Sequence, residues 1–533
     1  MLKERAKVFF TQKLSAQPFA ALLLFGLPLI VTNGFYNITQ TKSVFFYAVS
    51  LLMVFVFTLR SVFFGEDAKE KTPLKEKLHT LHPTDVAFAV FLAFILLASL
   101  LSEYRTDVWY GSNARYQGAF TYLLYFLFYL IVSRNLKGVR LFLYAGAAAF
   151  CIVCALGVLN CFDVDFFGFY SRLSKANQSA YISTIGNINF YSSYMCLLFP
   201  PVLCGFCMTE KKVSRLAYAG ALAVGSFGMM VTSSESFVVG FLSALVIIPL
   251  FLYNDVSKLK KYLLGVCIIV LSAQIFMFIY NAAPVTNVAI STLLSVLVRP
   301  MISGAVLAMC AVLFVLVHFV PKSAKYLQKL HIAALCIGIG GLLVCFVLAN
   351  TVGIGRYNSY FELTAKWGSY RGEIWRQCVQ LFKEFSWKEK LFGIGPEALQ
   401  NVTVSGEVFQ GKKLDQAHNE YLHYLLTSGI CGMVSYVALL GTVIYTTVRK
   451  CKDNMLCIGL FSGLVAFWLQ AFVNLAQPFT TPILFAFIAV INGICNQKKA
   501  LPEPTEATEE EEEETTTEPT DTQTEPQPAG VAT

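Results

Sequence analysis

The sequence predicts an all-α polytopic membrane protein, and three observations lead to this class. The chain has 533 residues, of which 56% are hydrophobic and 14% charged, and its mean hydropathy is +0.60. Soluble domains carry about 25% charged residues, so this composition excludes an ordinary soluble protein. The apolar residues also form segments of membrane-spanning length, and every second loop between them is basic.

Fourteen apolar segments are predicted to be transmembrane helices because each has about the length that a bilayer requires. The segments on either side of 232–236 fit either two spans or a hairpin. The predicted spans are 18–33, 43–64, 84–102, 118–134, 138–160, 188–208, 214–232, 236–253, 262–280, 300–320, 331–351, 429–448, 455–474 and 478–495.

The basic loops orient these spans. Lys and Arg occur at the N-terminus, in every second loop and again at 498–499. Loops of this kind stay on the cytoplasmic side, so both termini are predicted to be cytoplasmic, in agreement with an even number of spans. Topology therefore accounts for the basic excess, and no nucleic-acid partner is predicted.

Four regions follow from this topology. Residues 1–350 hold spans 1 to 11, and residues 429–497 hold spans 12 to 14. Between them, 351–428 is predicted to be a long extracytoplasmic loop with amphipathic helices. Residues 498–533 are predicted to be a disordered cytoplasmic tail, because 501–533 contain 11 acidic and no basic residues and are rich in Thr and Pro.

No metal or cofactor is predicted. The chain has 15 Cys, and its two C-x-x-C pairs, Cys151/Cys154 and Cys204/Cys207, lie inside predicted spans, where Cys is usually a small apolar residue. No phosphate-binding loop, dinucleotide fingerprint, zinc spacing or Asp-x-Asp pair occurs. An enzyme with this sequence would therefore be metal-independent and would use a lipid-borne donor.

The long loop holds the best candidates for chemistry. His418, in the run Ala417-His418-Asn419-Glu420-Tyr421-Leu422, can exchange a proton near neutral pH, although most single His residues are structural. Arg371 precedes a helical apolar stripe over 374–385 that includes Trp375 and suggests a helix on the membrane surface. An Arg at a helix N-terminus favours a phosphate ligand, although Arg371 also fits phospholipid headgroup binding or a surface charge. Elsewhere on the outer side, Arg115 and Asn189 lie in segments that also fit turns or helix caps.

Taken in order, these pieces resemble the O-antigen ligase and polymerase family of membrane glycosyltransferases, which have a C-type fold. The resemblance extends from about 185 to 475. It rests on the following ordered set: Gly186-Asn187-Ile188-Asn189 before a span with Pro200, Arg371, Trp375, Leu391-Phe392-Gly393-Ile394-Gly395, His418-Asn419-Glu420-Tyr421-Leu422 and Gly429-Ile430-Cys431-Gly432.

One position departs from the family pattern. Members often carry Thr-x-Ser-Arg at an outer helix end, where the Arg is functional, but this chain has Thr232-Ser233-Ser234-Glu235. The missing positive charge is predicted to come from one of five basic residues, between which the sequence does not choose: Arg115, Arg172, Lys175, Arg299 or Arg356. A count of fourteen spans instead of about twelve is a smaller departure.

The resemblance implies transfer of a glycan from a polyprenyl-pyrophosphate carrier to an acceptor hydroxyl, on the outer face of the bacterial cytoplasmic membrane, during surface polysaccharide assembly. It implies that Arg371 binds the pyrophosphate and that His418 is the base, or else a hydrogen-bond partner of the pyrophosphate. Asn419, Tyr421, Glu420, Arg115, Asn189 and Trp375 are expected to bind substrate, and Glu420 is a candidate partner of Arg371. Membrane lipids and a glycan or lipid acceptor complete the expected partners.

Two other functions fit parts of the pattern. A flippase or transporter of lipid-linked oligosaccharides would also have twelve to fourteen spans, but it predicts internal repeats and charges in mid-membrane, of which Glu235 is the main candidate. A non-catalytic scaffold is the third possibility. Ligase and polymerase, which differ in the acceptor, stay equally open from the sequence.

Overall fold

The computed structural model describes residues 13–64, 81–112, 115–171, 173–284, 286–403 and 413–500, and these residues are mostly helical. The acidic tail, from residue 501, lies outside the described residues. The helices are α1 Gln17–Leu29, α2 Ile38–Phe64, α3 Pro83–Leu101, α4 Arg105–Tyr110, α5 Ala119–Asn135, α6 Arg140–Cys161, α7 Lys175–Gln178, α8 Ile188–Met208, α9 Lys212–Met230, α10 Glu235–Leu250, α11 Val256–Ala282, α12 Thr292–Leu297, α13 Pro300–Phe319, α14 Ser323–Ala349, α15 Asn358–Phe361, α16 Trp367–Glu384, α17 Trp387–Phe392, α18 Glu420–Lys450, α19 Met455–Gln470 and α20 Thr481–Ala500.

Each of the fourteen predicted spans coincides with a helix. Within the described residues, nine helices are long and apolar enough to cross a membrane: α2, α3, α6, α8, α11, α13, α14, α18 and the stretch Met455–Val473 that contains α19. Helices α1, α5, α10 and α20 are apolar but shorter. The helical membrane fold is therefore confirmed, whereas the count of fourteen crossings stays a prediction.

Two short strands are an exception to the all-α prediction. Strand β1, Tyr181–Ile182, pairs antiparallel with β2, Gly186–Asn187, just before α8 begins. The side chain of Asn187 then caps α8 by accepting a hydrogen bond from the backbone N–H of Asn189 at 2.9 Å. The hairpin thus sets the end of α8 that carries the predicted residue Asn189.

Helix α8 is the centre of the bundle and is buried along almost its whole length. Small residues bring neighbouring backbones close to it, as in other membrane helix pairs. A Cβ on Gly463 of α19 would lie 2.3 Å from the carbonyl oxygen of Leu197. Helices α13 and α14, by contrast, lie at the periphery, with most of their apolar surface uncovered.

The predicted loop 351–428 forms a second, smaller hydrophobic core at one end of the bundle. Its buried members are Val108, Ile374, Cys378, Phe385, Ile394, Ala398, Leu399, Leu414, Ala417 and Leu426. The apolar stripe of α16 faces this core, so burial against the loop itself accounts for the stripe that suggested a helix on the membrane surface. Helix α18 runs from this core into the bundle, across the predicted boundary at 428/429, and departs from helical geometry at Gly429.

Candidate functional site

The candidate site lies where the second core meets the bundle, and it brings together groups from distant parts of the chain. Arg371 and Arg115 both lie near enough to His418 for their positive charges to lower the pKa of the imidazole. The predicted association of Arg371 with His418, 47 positions apart in the sequence, is therefore present in the fold.

Arg371 is held by a strained turn. The three residues before it, Gly368, Ser369 and Tyr370, have φ values of 58°, 59° and 68°. Such left-handed backbone is costly for residues with a Cβ, and it persists only where the surroundings enforce it. The guanidinium donates from Nε to the carbonyl oxygen of Val473 at 2.8 Å and from Nη1 to that of Gly368 at 2.6 Å.

These two hydrogen bonds orient the guanidinium and leave it able to bind an anion. A guanidinium has five N–H donors, so about three remain for a ligand. Burial lowers the pKa of Arg371 from its ordinary value, but an Arg stays charged in proteins. Arg371 is thus a fixed cation at the end of the bundle.

His418 also has unusual backbone geometry, with φ at 48°. It lies between Ala417, which is fully buried, and Asn419, which caps helix α18. Its ring makes no hydrogen bond to any residue that the structure describes. Burial, together with the charges of Arg371 and Arg115, lowers the pKa of His418 to about 4, so the imidazole is neutral at physiological pH and can accept a proton.

The three residues after His418 have separate roles. Asn419 accepts a hydrogen bond from the backbone N–H of Leu422 at 3.0 Å, which satisfies one of the free donors at the helix start. Tyr421 donates from its hydroxyl to the carbonyl oxygen of Trp468 at 2.9 Å. Glu420 is buried and accepts from the hydroxyl of Tyr436 at 2.6 Å.

The predicted pairing of Glu420 with Arg371 is therefore wrong. A carboxylate at the first position of α18 turns inward, where the hydroxyl of Tyr436, beyond the break in the helix at Gly429, satisfies one of its oxygens. The guanidinium of Arg371 is instead satisfied by backbone carbonyl groups. Glu420 belongs to the interior of the bundle, among Tyr122, Tyr424 and Tyr436.

A groove of about 640 Å³ lies between α16 and α18. Gly372 and Asn419, which follow Arg371 and His418 in the chain, both line it. The rest of the lining is mostly apolar with a cationic rim: Leu363, Trp375, Arg376, Val379, Gln380, Lys383, Tyr421, Leu422, Leu425 and Met433. The predicted residues Trp375, Asn419 and Tyr421 thus share one groove, and the indole Nε1 of Trp375 has no hydrogen-bond partner.

Asn189 reaches the site through its backbone. Its carbonyl oxygen accepts a hydrogen bond from the side chain of Asn474 at 3.2 Å, and Asn474 also donates to Ser193 Oγ at 2.7 Å. Asn474 directly follows Val473, the acceptor of the Arg371 Nε bond. The start of α8 therefore supports the carbonyl group that orients Arg371.

Residues 288–437 match the family model described as O-antigen ligase. The sequence resemblance is thereby confirmed for the part of the chain that holds Arg371 and His418. No curated protein matches the chain. Together with its apolar helices, the match indicates a multi-pass membrane protein with a role in glycan transfer during polysaccharide assembly. Residues 288–437 are called the ligase segment below.

Within the described parts of the chain, no group of three or more His, Cys, Asp and Glu side chains is placed to hold a metal ion. The groups that the structure does bring together at the site are a fixed guanidinium and a neutral imidazole, near an apolar groove.

Glu235, the predicted replacement for the functional Arg of the family pattern, has a structural partner. Its carboxylate accepts from the backbone N–H of Leu293, at 3.1 and 3.2 Å to its two oxygens, in the first turn of α12. A carboxylate there satisfies a free donor at the helix N-terminus. The acid thus ties α10 to the beginning of the ligase segment.

Five basic residues were predicted as possible sources of the missing positive charge. Of these, Arg115 lies near enough to His418 to lower the pKa of its imidazole. Its Nη2 pairs with Asp415 Oδ2 at 2.5 Å, and its own side chain is largely buried. Arg356 contacts the ring of its neighbour Tyr357, and Lys175 is exposed. Of the remaining two, Arg299 is the N-cap of α13, and Arg172 lies outside the described residues.

The glycines of the ligase motif pack helices together. The backbone at Gly393 packs closely against the backbone that leads to Gly429. A Cβ on Gly393 would be 2.3 Å from the carbonyl carbon of Thr427. The backbone N–H groups of Ile394 and Gly395 donate to Leu426 and Thr427 carbonyl oxygens at 3.1 and 2.9 Å. The turn 393–395 therefore fixes α17 against the first part of α18.

Glu397 is the buried acid that the sequence reasoning missed. It follows the Gly-x-Gly-Pro turn, has φ at 60°, and accepts a hydrogen bond from Ser112 Oγ at 2.8 Å. Burial raises the pKa of Glu397 to about 7, against the opposing effects of Ser112 and Arg115. Its position after a turn motif suggested a surface residue, and only the fold reveals its burial.

Proposed function

We propose that the protein transfers a glycan from a polyprenyl-pyrophosphate carrier to an acceptor hydroxyl. The observation that carries this proposal is the proximity of a fixed guanidinium, Arg371, to a neutral imidazole, His418, each of which is followed in the chain by a residue that lines one apolar groove. The ligase match over the same residues supports it.

The prenyl chain and the pyrophosphate of the donor bind to different parts of the site. The prenyl chain packs on the apolar side of the groove, along residues such as Leu422, Leu425 and Met433 of α18. The pyrophosphate binds the free N–H donors of Arg371, where charge-assisted hydrogen bonds are strongest. Arg376 and Lys383, on the α16 side of the same groove, add positive charge near the lipid headgroup region.

Transfer is then a displacement at the sugar carbon that carries the pyrophosphate. The acceptor oxygen forms the new bond to this carbon while the bond to the pyrophosphate oxygen breaks. Negative charge grows on the leaving phosphate, where Arg371 stabilises it. His418 takes the proton of the acceptor hydroxyl: its lowered pKa keeps the imidazole unprotonated but weakly basic, and the anionic pyrophosphate, by offsetting the charge of Arg371, raises that basicity.

The proposal places the site on the extracytoplasmic side of the bacterial cytoplasmic membrane, with both termini in the cytoplasm. The positive-inside rule supports this orientation. Helix α8, for example, begins at Ile188 beside the site, and its other end is followed by Lys211 and Lys212. The glycan donor would accordingly be taken from the outer leaflet.

The test replaces His418 by Ala and, separately, Arg371 by Ala in the producing cell, with expression levels matched. His318→Ala and Arg356→Ala are the controls, because both side chains are exposed and lie away from the groove. Loss of surface glycan with build-up of the lipid-linked donor on the outer leaflet is expected for the two site variants only. Build-up on the cytoplasmic leaflet would indicate a flippase, and normal glycan in both would overturn the assignment.

A further inference from the structure

Glu397 connects two segments of the site that are far apart in sequence. Its carboxylate accepts a hydrogen bond from Ser112 Oγ at 2.8 Å, in the loop that follows α4. On its other oxygen, it accepts from Gln416 Nε2 at 3.5 Å, two residues before His418. Arg115 and Asp415 pair with each other between the same two segments and both act electrostatically on Glu397.

The segment that these contacts hold is the one that sets the position of the imidazole. Gln416 and Ala417 are buried, and His418 has left-handed backbone before the helix begins at its N-cap, Asn419. The His418 ring itself makes no hydrogen bond within the described chain, so its position depends on the backbone that carries it. A change at Gln416 is therefore transmitted to the ring.

We propose that Glu397 is a positioning residue for glycan transfer, whose carboxylate holds Asp415–His418 against the loop at Ser112 so that the imidazole stays at the groove. This inference rests on the proposed function, because it assigns Glu397 a role through His418. Glu397 is not a catalytic residue in this account, since its carboxylate is buried and both of its oxygens are engaged, by Ser112 and by Gln416.

Ionisation of Glu397 should make the position of the His418 ring depend on pH. The pKa of Glu397 is raised to about 7, chiefly by burial, so its charge changes in the range where His418 is already neutral. The groups that face Glu397 are Ser112 and Arg115, which favour the charged form, and Asp415, which opposes it, while Tyr47 and Tyr122 also lie within electrostatic reach. Only the carboxylate form accepts fully from both Ser112 and Gln416.

The experiment measures how fast diethylpyrocarbonate modifies His418 in the full-length protein in detergent, by peptide mass spectrometry, from pH 6 to 8. In the wild type, we expect the rate to change with a midpoint near pH 7. In Glu397→Gln the rate should be constant over this range, whereas the exposed control Glu384→Gln should retain the wild-type profile. Identical profiles in the wild type and Glu397→Gln would overturn the proposal.

Two further measurements keep the test decisive. If Glu397→Gln does not fold, Ser112→Ala removes the main donor to the carboxylate, and the midpoint should move to higher pH; an unchanged midpoint would count against the proposal.

In a transfer assay, Glu397→Gln should lower kcat about tenfold with little change in KM for the donor. Full transfer by Glu397→Gln beside an inactive His418→Ala would overturn this inference alone, while full transfer by His418→Ala would overturn the proposed function.

Discussion

Replacing Gly429 by Ala tests whether the glycines of the ligase motif serve packing. At Gly429 helix α18 leaves helical geometry, with φ at 69°. A Cβ there would lie 2.3 Å from the carbonyl carbon and oxygen of Leu391 and 2.4 Å from the backbone nitrogen of Phe392. These are backbone atoms of α17, so no side chain can rotate away to make room.

Two costs add up in Gly429→Ala. The left-handed backbone costs about 1 to 2 kcal/mol for a residue with a Cβ. Forcing α17 away from α18 costs about 1 to 3 kcal/mol as overpacking. The expected loss is therefore about 2 to 5 kcal/mol, a large part of a typical net stability of about 5 to 15 kcal/mol.

Thermal unfolding of the purified protein in detergent measures this loss. Gly441→Ala is the matched control, because Gly441 lies on the same helix and a Cβ there meets nothing within 4 Å. Ala is favoured over Gly in a helix by about 1 kcal/mol, so the control should be as stable as the wild type or slightly more stable. We expect Gly429→Ala to lower the Tm by about 5 °C or more. Equal Tm values for Gly429→Ala and Gly441→Ala would refute the packing role.

Three further predictions concern the charged groups. Arg371→Lys keeps the charge but loses the oriented fork of donors, so kcat should fall about a hundredfold, while Arg356→Lys retains full transfer; equal rates would contradict the geometric role. The pKa of His418, followed through its modification rate in the Glu397→Gln background, should be about 4 and should rise when Arg371→Gln removes the nearby charge; an unchanged midpoint would show that the two groups are not close. The pKa of Glu397 is raised from 4.5 to about 7 in the folded protein, so the native state binds its proton more tightly and stability falls as pH rises through this window. Relative to the wild type, Glu397→Gln should therefore gain up to about 3 kcal/mol between pH 5 and pH 8, seen as a smaller decrease in Tm; the same decrease in both proteins would argue against a buried acid.

The helices were predictable because their signal is local. Each apolar run of sufficient length coincides with a helix, and α8 begins and ends at the predicted residues 188 and 208. The surroundings of each helix were not predicted, since α8 is central and the more apolar α14 is peripheral. Hydropathy indicates whether a segment prefers the membrane or water, but it does not indicate which helices pack against that segment.

The site was predictable only in part for a similar reason. The order of motifs led to Arg371 and His418, which the fold brings together. The partner of Glu420 was predicted wrongly because charge complementarity suggested Arg371, whereas the break in α18 at Gly429 brings Tyr436, from the second part of the helix, to the acid. Glu397 was missed because a buried carboxylate has no sequence signal of its own.

The most direct test of the central claim is transfer by the purified protein in liposomes that contain a polyprenyl-pyrophosphate oligosaccharide with a labelled sugar. The account predicts that the wild type moves the label to an acceptor hydroxyl and releases polyprenyl pyrophosphate in equal amounts. Arg371→Ala and His418→Ala should each lose this transfer while remaining folded. Wild-type rates in both variants would contradict the assignment of the guanidinium and the imidazole to glycan transfer.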